Sequence, residues 1–201
     1  MRILQIKASV LGANSQSTRL ADEFIARFPG AEVIERDLGA APVPHLDGAR
    51  VAALITKPEE RTAEQKAIVA YSDALIDELR RADVIVLGLP MYNFGVPSQL
   101  KAWFDHIARA GETFKYTDKG AVGLLSGKKA YVFAARGGVY VDTANDFQTP
   151  FVRQFLGFLG ITDVDFVYAE GLALGEDSRN NSIAAAHAAA RQLAAQTRLA
   201  A

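Results

Sequence analysis

The sequence contains no cysteine among its 201 residues. Disulfides, thiolate nucleophiles and cysteine-ligated metals are thereby excluded, and the composition suits a reducing compartment. A basic surplus is missing too. Lys and Arg number 22 against 23 Asp and Glu, for a formal net charge of −1, which argues against nucleic acid as a partner. No apolar run approaches the roughly 18 residues needed to span a bilayer. The opening "MRILQIKASVLG" has one positive charge and an apolar run broken by Gln5 and Lys7, so it does not read as a secretory signal. The three histidines, His45, His106 and His187, are scattered and form no metal-ligand spacing. A cytoplasmic protein without membrane or metal is the expectation.

Half the residues are apolar and 22% are charged, enough to build a core and too apolar for a disordered chain. At this length a single domain over residues 1–201 is the simplest organisation. Five apolar, β-branched-rich runs recur: "RILQIKA" (2–8), "AEVIERDL" (31–38), "ADVIVLGLP" (82–90), "KKAYVFAAR" (128–136) and "TDVDFVYAE" (162–170). Helical periodicity fills the gaps. It is carried by Leu20, Phe24, Ile25 and Phe28; by Ile68, Tyr71, Leu75 and Leu79 behind a Thr62/Gln65 capping box; and by Leu100, Trp103, Phe104 and Ile107. Pro150 either opens a helix bearing Phe151, Phe155, Phe158 and Leu159 or interrupts one that starts slightly earlier. An alanine-rich helix is expected over 182–199.

This alternation predicts an α/β fold: a flavodoxin-like, doubly wound, five-stranded parallel sheet of order 2-1-3-4-5 with helices on both faces. Ligands of such sheets bind beyond the carboxyl ends of the strands. The stretch 38–61, with Pro42, Pro44 and Pro58, is long for a plain connection and is expected to be a surface excursion or a contact with another subunit.

Three loops should meet at that edge. In "ASVLGANSQST", Ser15, Gln16 and Ser17 stand where a helix begins. There, free N–H groups and the positive helix end can receive a phosphate, with Ser9 as a further donor. The same residues serve equally well as an ordinary cap. Neither G-x-x-x-x-G-K-[ST] nor G-x-G-x-x-G follows the first run, so the known phosphate-binding glycine motifs are excluded. In "PMYNFGVP" two prolines bracket Met91–Gly95, and Gly95 offers close backbone approach. Tyr92 and Phe94 read either as a wall for a planar ring or as a patch buried by a neighbouring loop. "AARGGVY" supplies bare N–H groups at Gly137 and Gly138, or simply a glycine turn. Together the three suit a mononucleotide with a flat heterocycle, and FMN fits best.

The motifs S-x-x-x-x-x-S-Q-S from Ser9, "PMYNFGVPSQLKAWFDHIARAGETFKYT", "GLLSGKKAYVFAARGG" and "FLGFLGITDV…AEG" resemble the FMN-dependent NADH azoreductase family, over Arg2 to about Leu174. The resemblance implies dimeric flavodoxin-like flavoproteins that also reduce quinones. It assigns FMN contacts to Ser9, Ser15, Gln16 and Ser17 at the phosphate, to Met91, Tyr92, Asn93 and Phe94 along the ring, and to Ala135, Arg136, Gly137 and Gly138 at its pyrimidine edge. Ala135 stands where the family commonly has serine, which removes one hydroxyl contact. Tyr116 and Phe158 match aromatics of the family's substrate pocket, which a second subunit completes; core or dimer packing is their other reading.

The implied chemistry is two successive two-electron half-reactions, NADH giving a hydride to the flavin and a quinone or azo compound then taking the electrons. No side chain is assigned as catalytic. Arg136 is expected at the flavin edge or steering anionic substrates, or else as a surface arginine beside a turn. The sequence carries no feature that separates NADH from NADPH. The rival reading is a flavodoxin-like electron carrier between protein partners. An FMN-free scaffold would leave the three loops unexplained.

Overall fold

Why the apolar runs become strands is plainest in β3 (Val84–Pro90), in which all seven residues are buried, as a strand covered on both faces requires. The computed structural model describes residues 1–200, so Ala201 of the expected domain lies outside them. Beside β3 run β1 (Arg2–Lys7), β2 (Glu32–Asp37), β6 (Lys129–Ala135) and β7 (Asp163–Ala169) in one parallel sheet of order β2-β1-β3-β6-β7. Counted along the five-stranded sheet alone, that is the expected 2-1-3-4-5.

Helix α1 (Gln16–Ile25) and α6 (Glu176–Ala200) cover one face. Leu20 and Phe24 meet Val86, Tyr131 and Phe133 there, and Ala186, Ala190 and Ala194 form a buried small-residue stripe along α6. The other face carries α3 (Ala63–Arg81), α4 (Ser98–Ile107) and α5 (Gln148–Phe158), whose Leu75, Leu79, Trp103, Phe104 and Leu156 close over Leu4, Ile6, Leu87 and Val132.

The Thr62/Gln65 capping box forms as the sequence indicates. The stripe behind it differs, because Tyr71 is exposed and Val69, Ser72 and Ile76 complete the buried face. Tyr71 instead sets its ring edge-on to His106 at 5.7 Å. Helix α5 starts at Gln148 and places Pro150 third, within the first turn, where a missing N–H costs nothing.

Two elements lay beyond the sequence pattern. The 38–61 excursion contains α2 (Gly48–Ile55), capped by Asp47, which accepts from the Arg50 N–H at 2.9 Å. A hairpin, β4 (Phe114–Thr117) with β5 (Gly120–Gly123), stands apart from the main sheet. Four-residue strands with glycine at both ends of the second give no readable alternation.

Candidate functional site

Register sets the location. Pro90, Ala135 and Ala169 pair across β3, β6 and β7, so the loops that follow them leave the sheet at one level. The ladder runs on past the strands. Met91 N–H donates to Ala135 O at 2.9 Å, and Arg136 N–H donates to Ala169 O at 2.9 Å. On the β1 side, Ala8 N–H donates to Gly88 O at 3.1 Å, bringing residues 8–17 to the same rim.

At the start of α1, Ser15 is the N-cap and its Oγ accepts from Thr18 N–H at 3.2 Å. Ser15 Oγ and Ser17 Oγ lie 3.0 Å apart, so one hydroxyl hydrogen of the pair stays available. The N–H groups of Gln16 and Ser17 make no hydrogen bond among the described residues. No acidic side chain stands in this first turn, in contrast to α3 and α6. The positive helix end is therefore left for an external anion. Close approach holds the loop in place. A Cβ on Gly88 would come within 3.2 Å of Ser17 O, and one on Gly39 within 2.2 Å of Ser9 O. Neither glycine was legible as a site residue, because nothing local marks a glycine whose neighbour is distant in sequence.

The second loop is a tight reversal. Tyr92 and Gly95 exchange both backbone hydrogen bonds, at 3.2 and 3.0 Å. Its two central residues, Asn93 and Phe94, have φ of +49° and +67°, a region costly for a residue with a bulky Cβ. This corrects the expectation for Gly95, whose φ is not positive and whose Cβ would make only ordinary contact. The Tyr92 hydroxyl reaches Ser9 Oγ and Val10 N at 3.2 Å each. It ties the 91–95 loop to the loop that follows β1. Phe94 is 52% exposed, and its edge meets Tyr140 at 5.7 Å.

In the third loop, Gly137 and Gly138 spend their carbonyls on Ala173 N–H and Gly171 N–H while their own N–H groups find no partner among the described residues. Two free donors remain at the rim. Arg136 departs from the expectation of a surface arginine or a substrate-steering charge. Its guanidinium is fully buried beneath the rim. It donates to Asp146 and Glu170 at 3.0 Å, to Gln148 Oε1 at 3.2 Å and to Thr149 Oγ1 at 2.7 Å, and it lies 4.9 Å from the Tyr168 ring centre. Burial acts to raise the pKa of Asp146, yet hydrogen bonds from Thr149 and Arg136 hold it below the ordinary carboxylate value. Glu170 also accepts from the N–H groups of Tyr140 and Val141. Asp146, Gln148 and Glu170 went unnoticed in the sequence, since polar residues in loops look solvated until a buried cation is placed between them. Ala135 contributes its carbonyl to Met91 and makes no polar side-chain contact.

Tyr116 and Phe158 are not with the other twelve residues. Phe158 ends α5, whose first residue is at the rim, and so lies about 15 Å down the helix axis. It packs on Phe114 at 4.3 Å, and Phe114 meets Tyr116 edge-on at 5.4 Å. Tyr116 itself is 75% exposed. Among the described residues no group of His, Asp and Glu is arranged to hold a metal. No helix among the described residues is long and apolar enough to cross a membrane.

Comparison with known proteins yields a consistent neighbourhood. The family described as having a flavodoxin-like fold matches residues 1–194. An FMN-dependent NADH:quinone oxidoreductase of Alcanivorax borkumensis is 56% identical over 190 residues, 92% of this chain and 96% of its own. A solved azoreductase from Bacillus anthracis superposes with a TM-score of 0.89 at 30% identity, over 96% of this chain and 98% of that one. An FMN-dependent NADH-azoreductase of the same species, solved in complex with FMN, gives a TM-score of 0.84 at 28% identity over 96% of this chain and all of its own.

Proposed function

The chain belongs to the flavodoxin-like family of FMN-dependent NADH:quinone oxidoreductases and azoreductases, and from that premise we propose a ping-pong enzyme that oxidises NADH and then reduces a quinone or azo compound at the same place. The observation that carries the reading is the convergence of two pairs of unbonded N–H groups, Gln16/Ser17 and Gly137/Gly138, on either side of the strained Asn93–Phe94 turn.

These residues fit FMN. The uncompensated start of α1, with Ser9, Ser15, Gln16 and Ser17 around it, takes the phosphate dianion. Met91, Tyr92, Asn93 and Phe94 would hold the ring, and the N–H groups of Gly137 and Gly138 would stabilise negative charge at its pyrimidine edge. Arg136 supports that edge from beneath through the buried network, its backbone N–H and C=O already engaged by Ala169 and Leu172. FMN, when bound, supplies the two-electron chemistry. The rim excludes water from one side of the ring with Phe94 and Tyr140, and bulk water provides the protons that the reduced product needs. A homodimer belongs to the same reading. Tyr116 and Phe158 sit away from the rim of their own chain, so a place beside a ring requires a second copy. The cytoplasm is the proposed compartment.

The deciding experiment titrates the purified protein with FMN and adds NADH without oxygen. Prompt loss of the flavin absorbance, restored by a quinone or azo dye in two-electron steps, is the expected result. Failure to bind FMN overturns the reading. Reoxidation only by a one-electron protein acceptor would reassign the chain as a carrier.

A further inference from the structure

Gln148 is the first residue of α5 and is wholly buried, yet no part of its amide goes unused. Its Nε2 donates to Pro90 O at 3.0 Å and to Gly95 O at 2.9 Å, the carbonyls at the two ends of the 90–95 loop that carries the strained turn. Its Oε1 accepts from Arg136 Nε at 3.2 Å. The partners fix the amide orientation. Turned over, it would set oxygen against two carbonyls and a donor against the guanidinium. From Arg136 the chain of bonds continues to Glu170 at 3.0 Å and from there to the Tyr140 N–H at 2.9 Å.

We infer that Gln148 is a positioning residue that joins the 90–95 and 136–141 loops into one mechanical unit. Both loops flank the ring under the functional reading above, on which this inference rests. The two loops leave different strands. The Phe94–Tyr140 edge contact and the Met91–Ala135 hydrogen bond span them on one side, and the buried Gln148–Arg136–Glu170 relay spans them beneath. Phe94 at positive φ carries strain that its surroundings must hold in place. Holding the carbonyls at both ends of the 90–95 loop on one amide does so, and anchoring the same amide to Arg136 passes any opening on to the glycine loop.

Native-state hydrogen exchange on the wild-type apoprotein tests this without any substitution. The amides of Tyr92 and Gly95 and those of Tyr140 and Val141 are expected to share one opening equilibrium with one denaturant dependence, as a cooperative unit does. Protection factors that differ by more than about tenfold between the loops, or that respond differently to denaturant, overturn the inference.

Gln148→Glu keeps the side-chain size and the contact to Arg136 but turns an acceptor toward Pro90 O and Gly95 O. It is expected to speed exchange in both loops while β3 and β6 amides hold. The FMN dissociation constant should rise about tenfold, which is about 1.4 kcal/mol, and the visible circular dichroism of bound FMN should change. Gln148→Met, which removes all three hydrogen bonds, should act in the same direction. Change confined to the start of α5, or to one loop, makes Gln148 an ordinary core residue. Wild-type protein that binds no FMN defeats the functional reading alone, because the exchange result stands without the cofactor.

Discussion

The guanidinium of Arg136 stands 3.0 Å from the Glu170 carboxylate and 3.0 Å from that of Asp146, with its side chain wholly out of solvent. One buried cation between two carboxylates is the least replaceable arrangement in the rim, because removing it leaves like charges facing each other in a poor dielectric. Arg136→Met is therefore expected to lower stability by about 3–5 kcal/mol, read by urea unfolding at neutral pH. Arg136→Lys should fall between. An ammonium cannot serve Gln148, Thr149 and both carboxylates at once, as the planar fork does. A Met variant within about 1 kcal/mol of wild type would mean that water reaches and solvates both acids.

A second prediction concerns pH. His106 is buried, its Nε2 3.0 Å from Pro44 O and its Nδ1 without a partner. Burial pushes its pKa below the usual value of 6.5; Arg50 acts the same way, while the Pro44 carbonyl, Asp105 and Asp47 oppose it. The sign follows from proton binding. Below pH 6.5 the unfolded chain takes up a proton that the folded chain refuses, so stability falls as the pH drops from 6.5 toward the depressed folded value. The slope attributable to this group reaches at most about 1.4 kcal/mol per pH unit. Melting curves between pH 7 and 5 should be steeper for wild type than for His106→Gln. Parallel curves would assign the slope to other groups.

The sequence disclosed those features that are local or periodic. Strand runs such as "DVIVLGLP", the Thr62/Gln65 box and the Leu100–Ile107 stripe need only neighbours a few residues away, and their patterns sufficed to order the sheet. The three rim loops were legible for the same reason, since Ser15, Gly137 and Gly138 are unusual within their own segments. What stayed hidden depends on pairs far apart. Gly39 is required by Ser9 O, Gly88 is packed tightly against Ser17, and Gln148 is held by two carbonyls more than fifty residues away. Arg136 shows the same limit from the other side. Its partners at 146, 148, 149 and 170 make it a buried organiser, whereas its position beside a glycine turn suited a surface arginine just as well.

The start of α1 offers a third prediction. Ser15 and Ser17 share one hydroxyl–hydroxyl contact beside the unbonded N–H groups of Gln16 and Ser17. Replacing both by alanine removes hydroxyl donors but leaves the backbone donors and the helix end. FMN binding should weaken by about 1–3 kcal/mol, as for hydrogen bonds to a charged group. The loss of the Ser15 cap should separately lower stability by about 1 kcal/mol. Fluorescence titration and thermal unfolding on the same samples distinguish the two. Unchanged FMN affinity would show that the backbone alone holds the phosphate.

The last prediction separates stability from function at Phe94. Its φ of +67° costs of order 1 kcal/mol for a residue with a bulky Cβ, while asparagine tolerates that region. Phe94 is half exposed, and its aromatic contact is the edge-on one to Tyr140. Phe94→Asn thus removes strain at the cost of little buried surface. The apoprotein should be at least as stable as wild type in urea. FMN affinity should nevertheless fall, by about 1 kcal/mol for the lost aromatic neighbour. Such opposite movement is expected where a strained residue is kept for its ligand rather than for the fold. A variant that lost stability and affinity together would place Phe94 among the packing residues and remove it from the ring wall.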